Sequence, residues 1–183
     1  MALSEHSYTQ TAYVVNDLEA AAQRWTKATG AGPWYMLAPE TCNTVYRGEP
    51  GEDRYRLILG FLGATLIGLI QPLDDKPSIF NEVLRERGEG FHHVSPQLGA
   101  LSGATFDERC HVFEQRGLAV AMTNVVVGLG RATFYDAKDS LGGFVEVFEL
   151  GSAYPMVPAM ADEHLVWDGS RVIRSFDSLP VSK

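Results

Sequence analysis

The sequence predicts an α+β fold: two βαβββ modules closed into one pseudo-symmetric domain around a shared cleft. Three observations predict it. The order strand–helix–strand–strand–strand is legible twice, at about 8–72 and about 91–150. Equivalent positions on the first and last strands of each half recur at similar separations, 58 residues from Gln10 to Gly68 and 53 from His93 to Glu146. That near-equality is the mark of a duplicated unit. Apolar residues make up 45% of the 183 positions and charged ones 21%, enough for one domain with a real core.

The elements follow in order. Residues 8–15, YTQTAYVV, are β-branched and aromatic and predict a strand. Asn16-Asp17 caps a helix in which Leu18, Ala21, Ala22 and Trp25 recur at helical spacing, and Gly30 ends it. A short strand covers 34–37, and the polar stretch 41–53, with Gly and Pro, predicts a mobile loop. Strands at 55–62 and 65–71 flank a Gly63-Ala64 turn. After a linker at 72–76, a short helix covers 78–88 with Phe80, Val83 and Leu84 on one side. The second half begins with a strand at 91–98. A helix at 105–116 turns Phe106, Cys110 and Phe113 inward and ends at Gly117. Strands at 118–124, 131–136 and 143–150 complete it. The domain is thus expected to span 1–150, with 151–183 as a C-terminal extension wrapping its surface without a core of its own.

Charge and composition narrow the function classes. A net charge of −8 repels phosphate backbones, so a nucleic-acid partner is not expected. The longest apolar run, Leu57 to Ile70, is cut by Gly60, Gly63 and Gly68, too short for a membrane span. The N-terminus lacks a basic start followed by an apolar stretch, so no signal peptide is read. Cys42 and Cys110 make no disulfide framework. A cytoplasmic protein acting on a small molecule is the expectation.

Strand alternation decides which polar residues point together. Tyr8, Gln10, Ala12 and Val14 share a face; so do Phe91, His93 and Ser95; so do Phe144, Glu146, Phe148 and Leu150. His92 then falls on the opposite face from His93, and a structural role is expected for it. A carboxylate between two phenylalanines is costly unless something pairs with it, which makes Glu146 the most informative residue. Each candidate also has a structural reading: Gln10 bonding backbone, His93 bonding a carbonyl, Glu146 pairing with a buried Arg or His.

The segment QTAYVVNDLEAAAQRW followed by GAGPW resembles the first βα unit of glyoxalase-like members of the vicinal-oxygen-chelate superfamily, which includes bleomycin resistance proteins and dioxygenases. GFHHVSPQL resembles the first strand of their second module, and GGFVEVFEL their closing strand. The resemblance covers roughly residues 8–150. It implies a divalent metal held by Gln10, His93 and Glu146, with Gly68, which has no side chain to offer, at the usual second ligand position. Such a donor set suits Fe, Mn, Co, Ni or Zn. With one carboxylate the site carries formal charge +1 and favours an anionic bidentate ligand such as a catecholate or an enediolate.

The activity that the resemblance implies first is that of a glyoxalase- or epimerase-like lyase or isomerase acting on a small carbonyl or carboxylate substrate through an enolate-type intermediate, with Glu146 moving the proton. Epimerases of the family also use a glutamate on the third strand of the first module, and 55–62, YRLILGFL, has no carboxylate. The alternatives are an extradiol-dioxygenase-like non-haem iron oxygenase, consistent with the glycine at position 68, and a metal-free binding protein of the bleomycin-resistance type. Tyr55, Arg131 and Tyr135 are expected to contact substrate. The resemblance also implies a homodimer.

Overall fold

The computed structural model describes residues 8–37, 40–98, 103–126, 130–150 and 154–179. The first half runs β1 (Tyr8–Val14), α1 (Leu18–Thr29), β2 (Trp34–Met36), β3 (Glu40–Tyr46), β4 (Glu49–Leu62) and β5 (Thr65–Pro72). Then come α2 (Ile79–Arg87), β6 (Gly90–Leu98), α3 (Gly103–Gln115), β7 (Val120–Val126), β8 (Gly130–Ala137), α4 (Lys138–Leu141) and β9 (Gly143–Glu149). The tail holds α5 (Met156–Val166), β10 (Ile173–Ser175) and a single 3-10 turn, Phe176–Ser178. The caps of α1 read from sequence are in place, and α2 has a cap of its own. The Asp17 side chain accepts from Ala20 N–H and Gly30 closes α1 in the left-handed region; Ser78 caps α2 by accepting from Asn81 N–H.

The strands form one sheet in the order β4-β3-β7-β8-β9-β6-β1-β5, and β5 pairs back onto β4, which curls the sheet into a barrel. Within it β1-β5-β4-β3 and β6-β9-β8-β7 follow the same succession, first strand parallel to last and the remaining pairs antiparallel. β1 and β6 join the two runs on one side, β3 and β7 on the other. β2 and β10 continue from β4 beyond the barrel.

Residues 41–53, expected as a mobile loop, form instead β3 and the start of β4. They are joined by a two-residue turn in which Arg47 and Gly48 both have positive φ. That geometry matches the strand twist of a tight hairpin, and β3 is what closes the barrel onto β7.

Helices plug or cover the barrel. Ile79, Phe80 and Val83 of α2 join Val14, Met122, Phe134 and Phe144 in a cluster at one end. At the other end Val157 and Met160 of α5 pack with Phe61, Leu66 and Leu98. The tail therefore contributes to the core, against the expectation that it only wraps the surface. α1 covers the outside against Ile58, Ile67 and Leu69; α3 covers it against Tyr135, Val145 and Val147. Among the described residues no helix is long and apolar enough to cross a membrane.

Candidate active site

A cavity lies inside the barrel between the two plugs, and Gln10, His93 and Glu146 all line it. On each strand the polar residue stands where one apolar cluster gives way to the other. Gln10 lies between Tyr8 and Ala12, and Glu146 between Phe144 and Phe148, so both ends of the barrel shield them. Gln10 is 6% exposed, His93 1% and Glu146 8%, and water cannot solvate a charge there freely. His93 Nε2 lies 3.3 Å from Glu146 Oε2, yet that nitrogen makes no hydrogen bond. Ser95 Oγ–H donates to Glu146 Oε2 and fixes the carboxylate.

Gly68 pairs with Ala12 across β1 and β5. A Cβ there would come within 2.9 Å of Gln10 Nε2, so the glycine makes room for the glutamine amide.

His92 departs from the expected alternation. Ala12 pairs with His93 but Tyr13 pairs with Phe91, so β6 carries one extra residue there. Such a bulge breaks the two-residue period and re-aims side chains. Both histidines therefore point inward, with their Nδ1 atoms 2.8 Å apart. Burial holds His92 well below the ordinary imidazole range, and the neighbouring His93 adds to the effect. His92 is thus neutral, packed against the rings of Phe80 and Phe144. One of the two Nδ1 atoms must carry the proton of the contact. If His93 donates it, His93 Nε2 is left as a lone pair facing Glu146.

Of the three residues expected to contact substrate, only Tyr55 lines the cavity. Tyr135 is fully buried on the outer side of the sheet under α3, where its hydroxyl donates to the Cys110 carbonyl and burial raises it. Arg131 also lies outside the cavity, bonded to Glu149 and Asp107 and stacked over the Phe106 ring. The alternation that places Phe134 inward necessarily turns Arg131 and Tyr135 outward. Sequence reasoning missed five contributors. Ser95 shares the face read for His93, which was the available signal. Asn124, 3% exposed, lines the cavity with Oδ1 lacking a hydrogen-bond partner. Met156, Met160 and Phe176 reach the cavity from the tail.

Comparison with known proteins gives a match to the family model of the glyoxalase/bleomycin resistance protein/dioxygenase superfamily over residues 9–135. No curated protein matches the sequence. Among solved structures, methylmalonyl-CoA epimerase from Mycobacterium tuberculosis is 20% identical, with TM-score 0.53 over 80% of this chain and 89% of that one. A variant of the Streptomyces coelicolor methylmalonyl-CoA epimerase in complex with 2-nitronate-propionyl-CoA is 20% identical, with TM-score 0.53 over 82% and 98%. A hypothetical protein from Bacillus halodurans C-125 is 17% identical, with TM-score 0.53 over 76% and 90%. At these identities the likeness is one of fold.

Proposed function

The chain belongs to the glyoxalase/bleomycin resistance protein/dioxygenase superfamily, and from that premise we propose that it is a metal-dependent lyase or isomerase of the glyoxalase or epimerase kind. Its substrate is a small carbonyl or carboxylate compound that passes through an enolate-type intermediate. The observation that carries this reading is the meeting of His93 Nε2 and Glu146 Oε2, 3.3 Å apart, without a hydrogen bond. With the proton of the His92–His93 contact on His93 Nδ1, an imidazole lone pair and a carboxylate oxygen face each other at that distance and repel unless positive charge lies between them. Ligand bonds of about 2.0–2.2 Å leave neighbouring ligand atoms at about this separation. Among the described residues no cluster of three or more His, Cys, Asp or Glu could hold a metal, so the set depends on the amide of Gln10 as its third member. Gln10, His93 and Glu146 fit a divalent cation of the Fe, Mn, Co, Ni or Zn group.

That cation, when bound, supplies positive charge to polarise a substrate carbonyl oxygen. The rest falls to the side chains. Glu146 is the single carboxylate among the described cavity-lining residues and takes the proton from the carbon beside the carbonyl. Ser95 holds its Oε2 and sets its direction. His92 holds His93 in the tautomer that leaves Nε2 available. The apolar walls keep water from the site and strengthen each of these interactions.

We further propose a two-module architecture. It is supported by the common strand succession of the halves, with the ligand strands β1 and β6 adjacent. We propose on the resemblance a boundary at about residue 150 and a homodimer, and on the composition a cytoplasmic location. A second reading, a metal-free binding protein, is favoured by the mostly apolar lining of the cavity.

The test is protein purified without added metal, then loaded with Fe²⁺, Mn²⁺, Ni²⁺ or Zn²⁺ and incubated with small α-hydroxyketones in deuterated water. Metal-loaded protein should exchange the hydrogen beside the carbonyl, and Glu146→Gln should abolish the exchange. Absence of exchange with every metal and ketone would favour the binding protein.

A further inference from the structure

Two features of the cavity remain outside the proposed chemistry. The first is its charge. Among the described residues that line it there is no lysine or arginine. Arg47, Arg56, Arg131 and Arg174 are each engaged with carboxylates elsewhere. A ligand carboxylate or phosphate in this space would lose its hydration with no protein cation to replace it, a loss that disfavours anionic groups beyond those a bound metal meets. The second is Asn124. Its side chain lines the cavity, is 3% exposed, and leaves Oδ1 without a partner. Buried polar atoms are nearly always hydrogen-bonded, and an unpartnered acceptor on a residue of the cavity wall can be satisfied by a ligand donor once the amide turns toward it.

The register places this acceptor relative to the candidate metal ligands. Asn124 of β7 faces Ala132 of β8, Ala132 faces Phe148 of β9, and Glu146 lies one inward position along β9 from Phe148. Strand spacings of about 4.8 Å put Asn124 and Glu146 on the order of 10 Å apart along the wall. Phe134 and Phe148 line the cavity between them.

We propose that Asn124 is a specificity-determining residue: the cavity selects a small, uncharged molecule with an apolar body, whose hydroxyl or N–H donates to Asn124 Oδ1 while its carbonyl end meets Gln10, His93 and Glu146. This narrows the proposed function to its carbonyl substrates and rests on its placement of the reacting end. It makes a coenzyme A thioester a poor occupant, although the fold is shared with an epimerase crystallised with 2-nitronate-propionyl-CoA.

The experiment uses full-length, metal-free protein, so that it does not depend on metal binding. Acetophenone, 3- and 4-hydroxyacetophenone and 4-acetylbenzoate are titrated by NMR, with the Asn124 side-chain amide as reporter. At least one hydroxylated probe should bind about tenfold more tightly than acetophenone, equivalent to about 1.4 kcal/mol, and should shift the Asn124 amide. 4-Acetylbenzoate should bind more weakly than either. Asn124→Leu should erase the hydroxyl preference while retaining acetophenone. Equal binding of the hydroxylated and plain probes by the wild type overturns the proposal with no variant needed. So does tighter binding of the carboxylate, or a preference that survives in Asn124→Leu. If the hydroxyl preference holds but no divalent ion binds in a separate calorimetric titration, the metal-dependent enzyme fails and the selectivity stands.

Discussion

Glu146 stands between Phe144 and Phe148, 8% exposed, with Ser95 and His93 at its carboxylate. Its charge must be compensated, and within the proposed set it is the only anion. Glu146→Gln should therefore weaken divalent-ion binding more than any other single change, and Gln10→Ala less, because a neutral amide is the weakest donor; calorimetric titration of each variant checks the order. Position 68 provides the converse. A side chain added there meets first the flexible end of Gln10, which can move aside. Gly68→Glu should tighten ion binding, read in the same titration, while crowding the space beside it. His92→Phe keeps the packing against Phe80 and Phe144 and removes the nitrogen that meets His93. It should cost about 10- to 100-fold in ion affinity, the usual effect of losing a group that orients a ligand.

At the scale of elements, two buried carboxylates act on stability in opposite directions. Asp53 on β4 is fully buried with no hydrogen bond to either side-chain oxygen. Burial, then the neighbouring Asp74, pushes its carboxyl up from 3.8 to about 7. The fold thus favours the protonated form, and stability falls as pH rises from about 4 through about 7. Asp53→Asn should match the wild type at pH 4 and exceed it by up to about 4 kcal/mol at pH 8 in urea unfolding. Glu82 on α2 is the reverse case. Burial pushes it upward, but hydrogen bonds from Arg47, Lys138 and Tyr46 overcome this and bring it from 4.5 down to about 2. Its contribution, about 3 kcal/mol, is present above pH 4.5 and lost as pH falls through about 2; Glu82→Gln should flatten that acid limb of the same unfolding series. Most elements were legible because local signals and packing agree: Asp17 and Gly30 bound α1, Ser78 and Gly88 bound α2, and alternation placed Gln10, His93 and Glu146 on inward faces. What was not legible depends on distant partners. β3 pairs with β4 across the Arg47-Gly48 turn and with β7, far along the chain, and no apolar alternation in its own sequence records either partner. The bulge at His92 is set by register against β1, which no local pattern of β6 records. The α5 helix carries Pro158 and little periodicity, and it exists because the barrel end needs covering.

For the whole molecule, the barrel is a cavity held shut by two plugs, α2 at one end and α5 at the other. Met160 is 1% exposed and both packs in the core and lines the cavity. Met160→Ala should cost about 2–5 kcal/mol in equilibrium unfolding. It should also speed the dissociation of any cavity ligand, because the same side chain closes the barrel. The homodimer implied by the resemblance predicts sedimentation at twice the chain mass at micromolar concentration; a clean monomer contradicts it. Whether Gln10, His93 and Glu146 hold a cation is decided by calorimetric titration of metal-stripped wild type and Glu146→Gln with Fe²⁺, Mn²⁺, Co²⁺, Ni²⁺ and Zn²⁺. The wild type should bind at least one of these ions saturably at a single site, and the variant should lose that binding. No binding of any of the five, or equal binding by the variant, contradicts the proposed site.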